Sequence, residues 1–409
     1  MSKVFVTGIG VISAIGNTLA ENHRSLLTGK CGIAASVRLD SRHAGTMPFG
    51  EVALDDQALL DAVLNPPPGE TLKPAALLPG ADGLTRTTLL ALHATQAAIL
   101  DAQLTSSQLN AFDTALVGAT TVGGMCLMDE LYRDVHRQTG GSAFLASYEA
   151  ASVCRWLRDH YQINGIVNTI NTACSSSANA IMYGARLIRN GLARRVIAGG
   201  VDSLSKFTVN GFNALHILSP ERCTPFDKDR KGLNLGEGAA MLMLEREEDL
   251  GNKKVYAELT GYGNANDAYH PSSLSDTGDG PYLAMQAALT TAGLHAGDIG
   301  FINAHGTGTE NNDAVESRAM LRLFGEPPPF ASTKSNIGHT LGASGAIEAA
   351  YSILNLVEQE IYAGLHFQEP ISATGLRPVT SYKKLPLRHV MSNSFGFGGN
   401  CSSLIFSKA

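Results

Sequence analysis

One short pattern recurs in the two parts of this chain. Thr7-Gly8-Ile9-Gly10 closes an apolar strand running from Val4 to Thr7, and Thr260-Gly261-Tyr262-Gly263 closes another running from Val255. Both read as a strand ending in a glycine turn, the second opening a loop over Gly261 to Pro271. Further along, each part carries a turn of small residues that enters an apolar helix, at Cys174 and at His339. Such self-similarity predicts a duplicated α/β unit. The charged run Glu245 to Lys254 marks the boundary, giving an N-terminal part over 1–250 and a C-terminal part over 251–409.

Between these markers strands alternate with helices. Ala115 to Thr120, Ile163 to Ile170, Arg195 to Gly200, Ala240 to Leu244 and Ile299 to Ala304 are short, apolar and strand-like. Thr18 to Leu27, Thr85 to Ala102, Met128 to Arg137, Leu283 to Ala292 and Asp313 to Leu323 show helical spacing. The alternation predicts α/β layers with helices packed on a mainly parallel sheet. Ser36 to Gly83, with Pro66-Pro67-Pro68, reads as irregular loop or cap material that enlarges the first part.

A chain of 409 residues with 44% hydrophobic and 17% charged side chains has the composition of a globular enzyme. Its net charge of −6 argues against a general nucleic-acid or anionic-membrane surface. The six cysteines are scattered without CxxC or zinc-type spacing, which fits a reducing cytoplasm better than a disulfide framework. The first residues read as a strand and not as a signal peptide, and no apolar run is long enough to span a membrane.

Four stretches carry chemistry. Asn171-Thr-Ala-Cys-Ser-Ser-Ser-Ala-Asn-Ala180 places Cys174 on a strand-to-helix turn, where the positive end of a helix favours thiolate; a buried inert cysteine is the alternative. Asn303-Ala-His-Gly-Thr-Gly-Thr309 projects His305 from the carboxyl end of a strand. Asp313 follows as the expected N-cap of a helix, with Glu316 at capping-box spacing. Ser332 to Glu348 sets Lys334, His339 and Glu348 around a glycine-rich helix entry, Glu348 in an apolar context that requires a partner. Ser392-Asn-Ser-Phe-Gly-Phe-Gly-Gly399 is a strand breaking into a glycine loop, a core segment or a mobile aromatic gate.

In this order the stretches resemble the β-ketoacyl-[acyl-carrier-protein] synthases, specifically the elongating condensing enzymes, over nearly the whole chain. The resemblance implies the thiolase fold, two similar halves in a five-layer αβαβα sandwich, and a homodimer. It implies that Cys174 takes an acyl group from a carrier protein, and that His305 and His339 hold the malonyl thioester oxygen. Backbone N–H groups of Cys174 and Phe397 would form a second oxyanion hole. Lys334 would orient the second histidine or its neighbours, with Glu348, Asp313 and Glu316 as the supporting network. Phe397 would gate the acyl pocket, and Phe395, Thr307 and Thr309 would line the substrate site. The resemblance requires neither an organic cofactor nor a catalytic metal; a structural cation, where the family has one, would sit at Asn303, Glu348, Ser392 and Asn393. An acidic carrier protein calls for a basic mouth, for which Arg133, Arg137, Arg222, Lys228 and Arg230 are candidates.

Some positions point toward a discrete polyene or polyketide ketosynthase instead of fatty acid elongation. Three serines follow Cys174, Gly-Thr-Gly-Thr follows His305 and the lysine stretch reads Lys-Ser-Asn-Ile-Gly-His-Thr, forms that resemble the polyketide-type enzymes, whereas Asn312-Asp313 with Glu316 resembles the stand-alone fatty-acid enzymes. Asn400-Cys401 stands where the fatty-acid form usually has Thr-Asn, which leaves the acyl specificity open. A chain-length factor of the same fold would usually lack the nucleophile. A chain-initiating synthase would not carry histidine at 339, and a degradative thiolase would need a second reactive cysteine, for which Cys401 is the nearest residue.

Overall fold

The computed structural model describes residues 2–65, 84–137, 142 and 144–409. Ten strands form its main sheet: β1 (Val4–Ser13), β2 (Thr114–Ala119), β3 (Val167–Ile170), β4 (Arg195–Asp202), β5 (Gly238–Arg246), β6 (Ala257–Asn266), β7 (Phe301–Asn303), β8 (Phe330–Ala331), β9 (His389–Phe395) and β10 (Asn400–Ser407). Their spatial order is β8-β7-β9-β10-β6-β1-β5-β4-β2-β3. Read outward from the centre, β1-β5-β4-β2-β3 and β6-β10-β9-β7-β8 repeat one pattern, two antiparallel pairings followed by two parallel ones. The two patterns join where Phe5 pairs with Glu258 and Val6 with Ala257.

The layering follows from side chains that alternate along strands buried on both faces. Val196 and Ala198 of β4 point into one core and Ile197 into another; Leu242 and Leu244 of β5 likewise oppose Met241 and Met243. The shared inner core holds two helices, α3 (Ser176–Arg189) and α6 (Ser344–Glu358), through Ala178, Ile181, Ala185, Ala346, Ala350 and Tyr351. One outer core is covered by α1 (Arg86–Asp101) and α2 (Ala151–Tyr161). The other is covered by α4 (Asp279–Ala292) and α5 (Glu310–Phe324). The result is the five-layer αβαβα stack.

The repeated glycine phrase is real, but its meaning differs from the expected turn. β1 continues through Gly8 and Gly10 to Ser13, and β6 continues through Gly261 and Gly263 to Asn266. A Cβ on Gly10 would lie 1.9 Å from Ala94 O of α1, and one on Gly263 would lie 2.1 Å from Ala284 O of α4. Gly8 and Gly261 meet Ala98 O and Ala288 O in the same way, each at 2.4 Å. The glycines bare the strand so that a helix backbone can press onto it, once in each half. Replacing Gly10 by alanine is therefore expected to cost about 1–3 kcal/mol through overpacking, read as a lowered midpoint in denaturant unfolding.

The insert is also less irregular than it reads. Ile33–Ala35 and Pro48–Gly50 form a small ladder, and Asp56–Leu64 is a helix capped by the Asp55 carboxylate, which accepts from Ala58 N at 2.8 Å. Pro66-Pro67-Pro68 lie outside the described residues. Among the described residues, no helix is long and apolar enough to cross a membrane.

Candidate active site

The starts of α3 and α6 meet at the centre of the molecule. A Cβ on Gly345 would lie 2.7 Å from Ala178 N, and Ser177 Oγ accepts from Ala346 N at 2.9 Å. This contact brings the nucleophile turn against the turn that carries His339. Ala173, just before the cysteine, has φ of +54°, a left-handed conformation that costs a residue with a Cβ about 1–2 kcal/mol. The strained turn presents Cys174, two residues ahead of α3, to a cavity of about 370 Å³.

His339 Nε2 lies 3.1 Å from Cys174 Sγ. On the far side of the ring, Leu341 N donates to Nδ1 at 3.2 Å and Ser344 Oγ sits 2.9 Å away. A backbone amide can only donate, so Nδ1 is the bare nitrogen and Nε2 carries the hydrogen. His305 is held in the same tautomer by different means. Lys334 Nζ reaches His305 Nδ1 at 3.1 Å and His305 O at 2.6 Å, and forms an ion pair with Glu348 Oε1. Its three hydrogens are thereby assigned, and an ammonium has no lone pair to accept with. The two rings stand edge to face, 5.3 Å apart at 82°.

Of the second histidine and its neighbours, Lys334 thus serves the neighbouring His305 and not His339 itself. Proximity along the chain to His339 is misleading because the one-turn helix Lys334–Ile337 aims the side chain back under β7.

Burial and the Lys334 charge hold both imidazoles well below the ordinary histidine range, so both are neutral. Burial also pushes the Cys174 thiol up to about 11, against the pull of Lys334 and the Phe397 N–H. Burial therefore opposes the thiolate that the helix start is expected to favour. Alkylation of Cys174 by iodoacetamide is expected to accelerate steadily from pH 7 to pH 10, following the thiolate fraction, because the pKa of about 11 lies above this window. A plateau near neutrality would show a thiol already ionised.

Cys174, His305 and His339 offer donor atoms within 4.8 Å of one another, a spacing a metal ion could use. The tautomers oppose that use. Ligation through Nε2 would move the hydrogen to Nδ1, against the Leu341 amide and the Lys334 ammonium. The arrangement suits two N–H donors facing an oxygen that gains negative charge.

The His305 loop is pinned from below by two buried carboxylates. Glu316 accepts from His305 N at 2.9 Å and Gly306 N at 2.8 Å; Asp313 accepts from Thr307 N at 2.8 Å and Gly308 N at 3.0 Å. Asp313 also accepts from Phe226 N at 2.8 Å. Neither is a capping residue: α5 begins at Glu310 with Thr309 at its cap, and Asp313 and Glu316 lie a turn or more inside it. Thr307 and Thr309 line the cavity, as do Phe395 and Phe397, and the two threonine hydroxyls lie 2.8 Å apart. Phe395 lies 5.8 Å from the His305 ring. Phe397 sits on the tight turn between β9 and β10, stacked on Phe212 with centroids 5.8 Å apart.

Among the described residues, the buried oxygens Asn303 Oδ1, Glu348 Oε2 and Ser392 Oγ find no hydrogen-bond partner. Three of the four residues suggested for a structural cation therefore fit one by donor type. Asn393 is otherwise engaged, accepting from Ser403 Oγ at 2.8 Å and donating to Glu316 Oε1 at 3.3 Å.

Sequence reasoning missed two residues. Asp202, buried at the end of β4, accepts from Thr120 Oγ1 at 2.6 Å, Val122 N at 2.8 Å and Gly342 N at 2.7 Å. It ties the glycine loop after β2 to the His339 turn; a carboxylate closing the apolar run Val196 to Val201 was the available signal. Phe212 carried no signal, since its partner lies far along the chain. The basic candidates are dispersed. Arg230 reaches the cavity mouth together with Lys231, but it donates to Thr309 O, Asp227 O and Glu310 O. Lys228 pairs with Glu369 and Arg133 with Glu130, while Arg222 bonds Ile33 O. Arg137 is exposed at the end of the helix Met128–Arg137. Cys401 is fully buried and faces Gly399 O, not the cavity.

A cysteine at a helix start between two N–H-presenting imidazoles defines an acyl-transfer site. The β-ketoacyl synthase N-terminal domain model matches residues 1–250, and the C-terminal domain model matches 256–368. A 3-oxoacyl-[acyl-carrier-protein] synthase 2 from Vibrio cholerae is 31% identical, over 99% of this chain and 99% of its own. Among solved structures, an ishigamide ketosynthase/chain length factor superposes with a TM-score of 0.90 at 28% identity, covering 100% of this chain and 99% of its own. A ketosynthase in complex with its chain length factor from Xenorhabdus doucetiae gives 0.85 at 31%, covering 100% and 98%. The chain belongs to the β-ketoacyl synthase family of acyltransferases.

Proposed function

We propose that this protein elongates acyl chains carried on an acyl carrier protein by decarboxylative Claisen condensation, in fatty acid synthesis. Cys174 Sγ attacks the acyl thioester, the carrier thiol leaves with a proton, and the acyl group rests on Cys174. N–H groups of Cys174 and Phe397 stabilise the tetrahedral oxyanion; the two segments touch, since a Cβ on Gly396 would lie 3.1 Å from Cys174 N. Malonyl-carrier then binds with its thioester oxygen against His305 and His339. The bond to its carboxylate breaks, CO₂ departs, and the electron pair becomes an enolate held by the two Nε2–H donors. The enolate carbon attacks the acyl-cysteine carbonyl, and Sγ leaves as thiolate, which takes up a proton from solvent to restore the thiol. Lys334 is a positioning residue that fixes the His305 tautomer, Glu348 supports it, and Phe397 separates the two half-reactions.

The observation that carries this reading is the 3.1 Å approach of His339 Nε2 to Cys174 Sγ, with Nδ1 capped by the Leu341 amide. Condensation assays with malonyl-carrier and a panel of acyl-carriers test it: saturated acyl-carriers should yield the β-ketoacyl product.

A second reading rests on the ketosynthase and chain length factor assemblies among the solved structures. In it the chain is the catalytic member of a polyene or polyketide pair. Strong preference for polyunsaturated or aryl primers, with activity only beside a partner chain, would favour it. For the fatty-acid reading we propose a homodimer. Its support is β3, which among the described residues is an edge strand paired to β2 alone and leads directly to Cys174. Light scattering should give twice the mass of one chain. The division into parts of 1–250 and 251–409 is proposed on the repeated strand order.

A further inference from the structure

Behind the nucleophile turn, two asparagines from separate elements converge on one atom of a third. Asn400 Oδ1 lies 2.8 Å from Asn179 Nδ2 and 2.9 Å from Asn264 Nδ2. Ser175 Oγ lies 2.7 Å from the same oxygen and 2.7 Å from Thr172 O, so its single proton serves one of them at a time. The amide orientation of Asn400 is fixed by these neighbours. Turned over, its NH₂ would face the NH₂ groups of Asn179 and Asn264. The ring closes through Ser402 Oγ, which donates to Asn179 Oδ1 at 2.7 Å and accepts from Asn264 Nδ2 at 2.9 Å. Asn179 Nδ2 also reaches Thr172 Oγ1 at 2.8 Å.

These atoms link two turns that the condensing chemistry must keep in register. Asn179, Ser175 and Thr172 belong to the segment bearing Cys174 and the first turn of α3. Asn400 ends the tight turn bearing Phe397, closed by Gly396 N donating to Asn400 O at 2.8 Å. Asn264 on β6 holds both against the sheet. Opposite the asparagines, Gly396 rests on the nucleophile turn itself, with a missing Cβ that would sit 2.8 Å from Thr172 O. Contacts on both sides therefore set where the Phe397 N–H stands relative to Cys174 Sγ.

We infer that Asn400 is a positioning residue for acyl transfer: its amide oxygen, gripped by Asn179 and Asn264, registers the Phe397 turn against Cys174. The inference rests on the proposed roles of Cys174 and Phe397. Removing the oxygen loosens the oxyanion hole without touching the surface that receives the carrier protein, so the loss falls on turnover and not on binding.

The test is acylation of Cys174 by acyl-carrier, followed by intact-protein mass spectrometry. Asn400→Ala is expected to lower the maximal acylation rate about tenfold, the scale of a hydrogen bond lost at a geometry-sensitive site. The carrier concentration for half-maximal rate should stay within about twofold. Asn400→Asp keeps an acceptor in the same place and should recover the rate to within about threefold of the parent. Should Asn400→Ala fail to fold, Asn264→Ala removes one donor at an exposed position and should slow acylation about threefold. A lower melting temperature with an unchanged acylation rate would overturn the inference, as would a loss confined to the half-maximal concentration. Failure of the parent protein to acylate at Cys174 would sink instead the reading on which the inference rests.

Discussion

Cys174→Ala is expected to abolish condensation, lowering the rate by at least about 10⁴-fold, because no other group can hold the acyl chain between the two half-reactions. The fold should survive. The side chain is small, and its Sγ contact with His339 Nε2 at 3.1 Å faces the cavity and not the packed core. The check is a paired measurement on one preparation, β-ketoacyl product by mass spectrometry and unfolding midpoint in urea. Retained condensation in a well-folded Cys174→Ala would place the nucleophile elsewhere or show that none is used. Cys401 offers no refuge, because it is buried away from the cavity, and burial pushes its thiol far up from the ordinary range.

Lys334→Met should be almost as damaging, for two separable reasons. Lys334 and Glu348 are each 1% exposed, so removing the ammonium strands a carboxylate in a dry interior at a cost of about 3–5 kcal/mol. It also strips His305 Nδ1 of its donor, freeing the ring to take the other tautomer and present a lone pair where the enolate needs a hydrogen. The double variant Lys334→Met/Glu348→Leu separates the two. Replacing both charges by apolar groups should restore most of the stability, while condensation should stay depressed by about 10²-fold or more. Recovery of both together would mean that Lys334 is structural only, and that His305 keeps its tautomer unaided.

Much of this was legible in the residues because local pattern and global fold agree. The repeated Thr-Gly-x-Gly phrase announced the duplication, and turns of small residues placed Cys174 and His339 ahead of apolar helices. What misled was every inference that treated sequence neighbourhood as spatial neighbourhood. The glycines at 8, 10, 261 and 263 punctuate turns in most chains; here a helix carbonyl fills the space their side chains would need. Lys334, five residues before His339, serves His305. Asp313 and Glu316 look like caps from their spacing, yet they reach back to backbone amides of the preceding loop. The helix start that favours thiolate at Cys174 is visible in sequence, and the burial that opposes it is not. Asp202 and Phe212 lay beyond local reading altogether, since their partners at Gly342 and Phe397 come from the other half of the chain.

The central claim is that Cys174 carries the acyl group and surrenders it to a malonyl-derived carbanion. Its most direct measurement is intact-protein mass spectrometry, with peptide mapping, after mixing the enzyme with an acyl-carrier and then chasing with malonyl-carrier. The account predicts one acyl group per chain, mapped to Cys174, which disappears on the chase as CO₂ and the β-ketoacyl-carrier appear in equal amounts. An enzyme that forms product without ever showing the adduct, or that shows it on another residue, would contradict it.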